Sequence, residues 1–498
     1  MLAEWSVAGK RTTMRRLLAM FLLPIALMPT ACEKQPQGAV RAVVIGGEPK
    51  LRDPSLGPLP TSDSVVLQNV AQGLVSFDSS GNIVAGLAER WNVSDDGLSY
   101  IFRLASAQWP DGRKITADQV AKLLKRQLAS KSRNELKDSV GAIDDIVAMT
   151  DRVIEIQLIA PRPNLLSILA QPEFAILRGT EGSGPFHATA SGAPGGGLRL
   201  RRDVVSSDEE ETRHEEVLLS GASAEEAIRD FAASRNDLVL GGTFVDLPLA
   251  RRAKLPGGAL RFDPASGLFG LVPAHSGGPL DRVEVRQLLS QALDRANYVN
   301  SLGVPSLTSR ATLLEPGLDG VPAPVQPAWF GAPVSDRLPI LRAQADQLLG
   351  KSKPPIRVAL PSGPGGDLLF QEIQLDWGAI GLTVEHAESG TADFTLVDEV
   401  APSPSPAWFV RRFRCEIAPV CDAQADQLME AARTMPVAAQ RYALLVEAAA
   451  RIDDSQLFIP ITAPVRWSLV SGRVQNFAGN RYARHTLTDL EEKGGGSD

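Results

Sequence analysis

Length, composition and charge set the first limits on this chain. Its 498 residues include 43 Gly, 36 Pro and three Cys, and 44% of them are hydrophobic. This composition excludes a polytopic membrane protein, a disulfide-stapled small domain and a largely disordered chain, and the length predicts two or three domains. The formal charge is −7, and because residues 1–31 carry a local +3, the remainder carries −10. An acidic body argues against nonspecific nucleic-acid binding, which requires a basic face.

The N-terminus has the features of an export signal. Arg15 and Arg16 precede an uncharged stretch of 15 residues, which Pro24 interrupts. A spanning helix needs about 20 apolar residues, so a cleaved signal fits this stretch better than a transmembrane helix. We therefore predict a signal peptide over residues 1–31. Met14 is an alternative to Met1 as the true start.

Cys32 follows this stretch and resembles a bacterial lipoprotein processing site, where the Cys thiol is acylated after cleavage. Thr30 and Ala31 suit the two positions before the cut, whereas Pro29 departs from the usual leucine. We predict a lipid anchor at Cys32, which would attach the protein to a membrane. The alternative is ordinary cleavage nearby, with Cys32 left as a spare thiol.

Hydrophobic periodicity predicts alternating strands and helices after the anchor. In chain order, strands are predicted at 42–45, in a hairpin over 91–104, and at 153–158, 237–240, 356–360 and 382–385. Helices are predicted over 62–75, from an N-cap at Thr116, and over 161–169, 223–234, 283–302, 335–350, 368–380 and 422–454, with an interruption near Pro436. The Gly-rich stretch 191–197 and the charged stretch 206–216 are predicted to be surface loops. This order indicates layered α/β lobes.

Cys415 and Cys421 are the remaining cysteines. Export to an oxidising compartment favours a local disulfide between them. Two free thiols are the alternative, and a zinc site is disfavoured because no other Cys and no His lies near them in the sequence.

The chain lacks the motifs of the common hydrolase and nucleotide-binding sites, such as G-x-S-x-G, H-E-x-x-H and G-x-x-x-x-G-K-[ST]. Its five histidines are scattered, and we interpret each as a surface or capping residue. Adjacent carboxylates such as Asp453 and Asp454 are interpreted as solvated caps. The sequence therefore predicts no catalytic residue, no metal and no cofactor, and it disfavours an exported hydrolase.

Ordered motifs then give a family resemblance. Several segments, in this order, resemble the solute-binding proteins of bacterial ABC importers in the peptide/nickel-binding group called family 5: Gly73 to Asp78, Ala85 to Trp91, Trp109 to Gly112, Asp151 to Ile156, Gly182 to Phe186, Val283 to Arg295, Ile373 to Val384 and Phe458 to Ile461. Single pieces are weak signals, but their shared order makes the match specific over residues 42 to 480.

The resemblance implies an α/β, two-lobed periplasmic-binding-protein clamshell (type II-like) with an extra subdomain. Lobe 1 would take residues 32–70, 176–262 and 470–498, the extra subdomain 71–175, and lobe 2 263–469. It further implies a monomeric receptor of the periplasm or cell envelope, which captures a peptide-like or other small solute between the lobes and delivers it to ABC permease subunits. The alternative is an envelope adapter or chaperone-like protein on the same fold, without a transport function.

The resemblance fails where peptide-binding relatives carry an Asp that pairs with the ligand's α-amino group, because Pro402 occupies the corresponding position. Asp398 or Glu399 are nearby replacements, and a ligand without a free N-terminus is the competing interpretation. An arginine cluster, Arg411, Arg412 and Arg414, lies beside Trp408 and would suit a carboxylate or an apolar group. The alternative is a core tryptophan with a solvated arginine face. The predicted ligand-binding residues are therefore Asp398, Glu399, Trp408, Arg411 and Arg412.

Overall fold

The structure is a computed structural model, and it describes residues 38–192, 196–205, 212–351 and 353–490. The described residues after Gly38 fall in one unit, Ala39–Asp498. Cys32 and the predicted signal peptide lie outside the described residues.

Strands and helices alternate through this unit. The strands are β1 (Val40–Ile45), β2 (Val75–Phe77), β3 (Ile83–Ala85), β4 (Ala88–Val93), β5 (Ser99–Leu104), β6 (Ile143–Thr150), β7 (Val153–Leu158), β8 (Leu177–Arg178), β9 (Glu181–Gly182), β10 (His187–Ala190), β11 (Leu198–Val205), β12 (Thr212–Ala222), β13 (Leu238–Thr243), β14 (Leu260–Phe262), β15 (Gly267–Pro273), β16 (Ile356–Ala359), β17 (Val384–His386), β18 (Phe394–Val400), β19 (Ile459–Thr462) and β20 (Arg466–Val470). The helices are α1 (Thr61–Val70), α2 (Ala117–Leu128), α3 (Leu165–Leu169), α4 (Ala224–Ala232), α5 (Leu247–Arg252), α6 (Val283–Ala292), α7 (Arg295–Leu302), α8 (Val334–Leu349), α9 (Pro364–Ala379), α10 (Pro406–Arg411), α11 (Ala423–Thr434) and α12 (Ala438–Asp454).

The first sheet has seven strands in the order β10-β11-β12-β1-β13-β20-β14. Its central strand, β1, runs parallel to both β12 and β13. Side chains of a strand alternate between faces, and here both faces are covered: Ala42 and Val44 pack into a core with α1, whereas Val43 packs into a different core. The strand predicted at 42–45 is confirmed.

The second sheet has five strands in the order β17-β16-β18-β15-β19. Phe269 and Phe394 of this sheet share one core with Val43 and Trp467 of the first sheet, so a continuous apolar layer joins the two sheets. A further core, which includes Trp408 and Phe409, packs helices α10 to α12 together. The predicted helical stretch 422–454, with its interruption near Pro436, is confirmed as α11 and α12.

The third sheet is the antiparallel arrangement β4-β5-β7-β6. Its first hairpin was predicted from Asp96-Gly97, and Gly97 adopts a φ of 69° there, a left-handed conformation that glycine reaches at little cost. Helix α2 covers the sheet and begins as predicted at Thr116, whose side chain accepts from the backbone N–H of Gln119 in a capping box.

Three predicted elements were wrong in extent. The helix over 62–75 ends at Val70, because Gly73 passes so close to the backbone of Leu169 that a Cβ would stand 2.5 Å from its carbonyl oxygen. The helix over 283–302 is two helices, since the Asp294 carboxylate accepts from Asn297 N–H and starts α7. The charged loop over 206–216 is strand β12 from Thr212 onward, where its charges pair across to β11.

The chain passes twice between the first and second sheets: once from β14 to β15, and once from β19 to β20. The predicted division into lobes stays a prediction. Strand β20, Arg466–Val470, pairs with β13 and so belongs to the first sheet. It spans the last predicted boundary, which was placed between residues 469 and 470.

Candidate functional site

A cavity of about 500 Å³ is lined by residues of the first sheet, the second sheet and the region around the third sheet. The first sheet and α1 contribute small and polar groups, among them Gly241, Gly242 and Ser64. The segment from β18 to α10 contributes Asp398 to Pro402. A cleft lined by several structural layers and by convergent polar groups is the usual form of a small-molecule site.

The structure places all five predicted ligand-binding residues, Asp398, Glu399, Trp408, Arg411 and Arg412, along the wall of this cavity. They come from the end of strand β18 and from the short helix α10 with the residue after it. Arg414, three residues after Arg411, instead pairs with Glu416 at 3.1 Å and is not part of this wall.

Asp398 is held by an arginine of the other large sheet. The Arg466 Nη1 atom donates to both carboxylate oxygens of Asp398, at 2.8 and 3.0 Å, and Nη2 donates to its carbonyl oxygen at 3.1 Å. Burial raises the pKa of Asp398, while the Arg466 guanidinium opposes that rise. The carboxylate therefore has a charged partner before any solute arrives.

Glu399 forms an ion pair with Arg412. Burial lowers the pKa of the Arg412 guanidinium. Both proposed replacements for the missing Asp, Asp398 and Glu399, are thus already paired with arginines.

Trp408 agrees in part with both interpretations offered for it, a ligand contact and a residue of the core. It is 6% exposed and packs edge-to-face on Phe409, with ring centroids 5.1 Å apart, so most of the ring belongs to the core. It also lines the cavity, and the Arg411 guanidinium lies 5.9 Å from its ring centroid. Arg411 reaches across to the region of the third sheet, where its Nη1 atom donates to Ser139 Oγ at 2.6 Å.

Pro402, at the position of the expected Asp, is buried, and its carbonyl oxygen accepts from Gln171 Nε2 at 2.9 Å. The next residue, Ser403, accepts from Asn164 Nδ2 at 2.9 Å through its hydroxyl. The backbone here is therefore tied to the third-sheet region of the molecule, rather than offering a side-chain charge to the cavity.

Sequence reasoning missed a second polar group in the wall, formed by Glu135, Gln171, Glu173 and Arg484. Arg484 donates through Nε to Gln171 Oε1 and through Nη2 to Glu173 Oε1, both at 3.1 Å. A signal was present for one of them, because Glu173 is the single charged residue of the apolar stretch 165–177. Glu135 and Arg484 come from segments distant in sequence, so no spacing pattern joins them to Gln171 and Glu173.

The predicted surface or capping role of the histidines was wrong for His485. It is 7% exposed, its Nε2 lies 3.2 Å from Asp263 Oδ2, and its ring stacks on Phe477. Within the described residues, no group of three or more His, Cys, Asp and Glu side chains is arranged to hold a metal ion.

Cys415 and Cys421, which the sequence analysis paired, are joined by a disulfide with their Cα atoms 5.2 Å apart. The bridge closes a short loop between α10 and α11. Among the described residues, no helix is both long enough and apolar enough to cross a membrane.

Comparison with known proteins gives a family and a set of relatives. The family model of bacterial extracellular solute-binding proteins, family 5 middle, matches residues 82–398, which is more than half of the chain. A probable di/tripeptide-binding protein 5 of Pseudomonas aeruginosa is 24% identical over 494 residues, covering 84% of this chain and 89% of the relative. The periplasmic oligopeptide-binding protein OppA of Salmonella typhimurium is 23% identical over 304 residues, covering 54% of this chain and 55% of the relative.

Solved structures match along most of the chain. OppA of Haemophilus influenzae, in complex with the peptide RPPGFSPFR, has a TM-score of 0.77 at 16% identity and covers 92% of this chain and 99% of that one. The murein tripeptide binding protein MppA of Escherichia coli has a TM-score of 0.76 at 16% identity, with coverages of 90% and 98%. The predicted α/β, two-lobed periplasmic-binding-protein fold is confirmed.

Proposed function

The chain belongs to the bacterial extracellular solute-binding proteins of family 5, and on that basis we propose that it is a receptor that delivers a peptide-like solute to an ABC permease in the periplasm. The observation that carries the proposal is the cavity whose wall combines both large sheets and the third-sheet region. A solute held there would contact every layer at once, so its binding would favour the closed arrangement. The relatives are named as di/tripeptide- and oligopeptide-binding proteins, and one was solved with a bound peptide, which suggests a peptide-like solute here.

We propose the same division of the chain as the sequence analysis: lobe 1 over 32–70, 176–262 and 470–498, an extra subdomain over 71–175, and lobe 2 over 263–469. The three large sheets support it, since each of these parts carries one of them except for most of β20, and the two-stranded sheets β2-β3 and β8-β9 lie within the subdomain and lobe 1. The extent of β20 favours moving the last boundary to about Val465.

Within the cavity, we propose that Trp408, Arg411 and Arg412 contact the solute directly. Trp408 offers an apolar edge, and the two guanidiniums suit a carboxylate or a backbone carbonyl. Asp398 and Glu399 would act through their arginine partners, because a carboxylate already in an ion pair offers a weaker site for a further cation. A binding role rather than an enzymatic one agrees with the relatives, which are named as binding proteins.

The test is mass spectrometry of small molecules released when the purified full-length protein is denatured, followed by thermal shift measurements with di-, tri- and tetrapeptides. We expect at least one peptide to raise the unfolding midpoint, because a ligand that binds only the folded state stabilises it by mass action. If no small molecule is released and no peptide shifts the midpoint, the receptor proposal is contradicted and an envelope adapter on the same fold is favoured.

We further propose that residues 1–31 are a cleaved signal peptide, that Cys32 carries the lipid anchor and that the mature protein is a monomer. Metabolic labelling with an alkyne analogue of palmitate should mark the wild type and leave the Cys32→Ser variant unmarked. A Cys415→Ser/Cys421→Ser variant is the matched control and should keep the label. Equal labelling of wild type and Cys32→Ser would exclude Cys32 as the anchor.

A further inference from the structure

Glu173 is a buried carboxylate with an unused acceptor in the cavity wall. The side chain lies in an apolar segment and the residue is 6% exposed. Oε1 accepts from Arg484 Nη2 at 3.1 Å, whereas Oε2 has no hydrogen-bond partner in the described part of the chain. An ionised oxygen left without a donor in a buried position is costly, which makes this atom a candidate for contact with a solute.

Glu135 lies beside it and also lines the cavity. Among the described residues, no side chain or backbone group donates a hydrogen bond to its carboxylate. The two residues are close because Asn134, the neighbour of Glu135, donates to the Glu173 carbonyl oxygen. Burial, and then the charge of Glu173, raise the pKa of Glu135. Two like charges in one wall repel, so the fold must hold them together by other means.

Buried amides hold these two segments together. Asn134 Nδ2 donates to the Glu173 carbonyl oxygen at 2.7 Å and to Gln127 Oε1 at 3.0 Å, and Asn134 Oδ1 accepts from Leu136 N–H at 2.9 Å. Gln127 Nε2 in turn donates to the Ala175 carbonyl oxygen at 2.9 Å. Asn134 and Gln127 are 3% and 1% exposed, so this arrangement is a rigid part of the interior.

The nearby cations do not fully neutralise the two carboxylates. Arg484 divides its donors between Gln171 and Glu173, and Arg411 donates to Ser139 while lying over Trp408. The charges of Arg484 and Arg411 lower the pKa of Glu135 by less than burial and Glu173 raise it. Asp398 and Glu399, which also line the cavity, are each paired with an arginine.

We propose that Glu135 and Glu173 form a subsite for a primary ammonium group of the solute. The proposal deepens the receptor function above and rests on it. An ammonium has three donors, and three carboxylate oxygens are without a donor here: both oxygens of Glu135 and Oε2 of Glu173. Charge-assisted hydrogen bonds to such a group are about twice as strong as neutral ones. These carboxylates belong to the third-sheet region and not to the segment that follows β18, so Pro402 does not prevent recognition of an amine.

The experiment compares one peptide mixture in two forms. Full-length protein, freed of bound solute by unfolding and refolding with its disulfide intact, is incubated with a casein digest or with the same digest after acetic anhydride has blocked its amines. Bound peptides are separated by gel filtration and quantified by mass spectrometry. We expect the wild type to retain the free-amine digest at least about tenfold better, which corresponds to the loss of one hydrogen bond to a charged group.

Two variants assign the effect to these residues. Glu135→Gln and Glu173→Gln should each lower retention of the free-amine digest about tenfold and leave the acetylated digest unchanged. Glu447→Gln, at an exposed position of α12 outside the cavity wall, is the matched control and should behave as the wild type. Glu135 is exposed, so we expect Glu135→Gln to fold normally. This variant therefore tests the assignment even if Glu173→Gln folds poorly.

The remaining outcomes separate the two proposals. Equal retention of both digests by the wild type contradicts the ammonium subsite and leaves the receptor function intact. Retention of neither digest contradicts both. Preference for the free-amine digest that persists unchanged in Glu135→Gln and Glu173→Gln shows that the ammonium is bound by other residues and overturns this assignment.

Discussion

Arg466 and Asp398 connect the two large sheets through side chains that are 17% and 15% exposed. Arg466 is the first residue of β20, directly after the second passage of the chain between the sheets, and Asp398 lies within β18. The pair therefore fixes a strand of one sheet to a strand of the other at the point where the backbone crosses.

Replacing Arg466 by Met should destabilise the protein strongly, because the Asp398 carboxylate would remain buried without its partner. Breaking such a pair costs about 3–5 kcal/mol when burial is complete, and the partial exposure here favours the lower end. Urea unfolding followed by tryptophan fluorescence measures the loss. The double variant Asp398→Asn/Arg466→Met should recover part of it, since it leaves no unpaired charge.

Arg433→Met is the matched control for that measurement. Arg433 pairs with Glu430 at 2.8 Å on an exposed surface, and exposed pairs contribute about 0–1 kcal/mol. A loss for Arg466→Met as small as that for Arg433→Met would show that the pair between the sheets is not a structural link.

Asp453 gives the protein a pH-dependent stability. Its carboxylate accepts from Leu313 N–H at 2.8 Å, and burial raises its pKa to about 7 from 3.8. The folded state therefore binds a proton that the unfolded state has lost at intermediate pH, and the free energy of unfolding falls as pH rises from about 4 to about 7. The change between pH 5 and 8 is about 3 kcal/mol at 1.36 kcal/mol per pKa unit.

Asp453→Asn keeps the acceptor for Leu313 and removes the titration. We expect the variant to lose less stability than the wild type between pH 5 and 8, as measured by urea unfolding at both values. Burial also raises the pKa of Asp376, to about 6. Its titration lowers the free energy of unfolding equally in both proteins, so it does not affect the difference between them. Parallel pH profiles for wild type and variant would contradict this account.

Residues of the site differ in how far the sequence could predict them. Asp398, Glu399 and Trp408 lie in one short segment, so a family resemblance was enough to select them. Glu135 and Glu173 belong to two segments that the buried Asn134 and Gln127, together with a shared apolar core, bring together. The solvated role predicted for Asp453 was wrong for a similar reason, because its carboxylate accepts from the Leu313 N–H, 140 residues away.

At the scale of elements, the sequence predicted the structures that depend on residues close to one another in the chain. The hairpin at Gly97 and the capping box at Thr116 are both fixed by residues a few positions apart. The break between α6 and α7 was missed because the Asp294 backbone N–H donates to Asp376 Oδ2 at 2.7 Å, a contact from another helix. Strand β12 was missed because its charged side chains pair with partners that the sequence does not place beside them, such as Glu216 with Arg199 and Glu215 with Arg202 of β11.

The loop between α10 and α11 provides a prediction at this scale. The disulfide Cys415–Cys421 closes a loop with a sequence separation of six residues, and the Cys415 N–H also donates to Asp426 Oδ1 at 3.0 Å. Removing the bridge with Cys415→Ser/Cys421→Ser should cost about 2 kcal/mol of unfolding free energy on the loop-entropy model. Hydrogen exchange should rise in this loop more than in the distant helix α4.

The reduced wild type is the control for the disulfide prediction. Its unfolding midpoint in dithiothreitol should match that of the double serine variant, since both lack the same constraint. A double variant as stable as the oxidised wild type would show that the hydrogen bonds of the loop are sufficient without the bridge.

At the scale of the whole described unit, four hydrogen bonds connect the third-sheet region to the part that carries α10 and α11. Arg411 donates to Ser139, Gln171 to the Pro402 carbonyl, Asn164 to Ser403, and Arg162 to the Arg433 carbonyl, at 2.6 to 2.9 Å. Burial lowers the pKa of Arg162 to about 10. The two parts belong to different portions of the proposed division, so we expect these bonds to be lost when those portions move apart.

Removing two of these bonds should shift the protein towards the open arrangement. Each bond contributes about 1 kcal/mol, so Ser139→Ala/Asn164→Ala should change the ratio of closed to open molecules about 30-fold. Small-angle X-ray scattering of the solute-free protein should then show a larger radius of gyration, and solute release should be faster because the binding-competent state is less populated. Ser130→Ala, at an exposed position outside the cavity wall, should change neither quantity. An unchanged radius of gyration together with an unchanged release rate in the double variant would show that the apolar layer between the sheets, rather than these hydrogen bonds, sets the degree of closure.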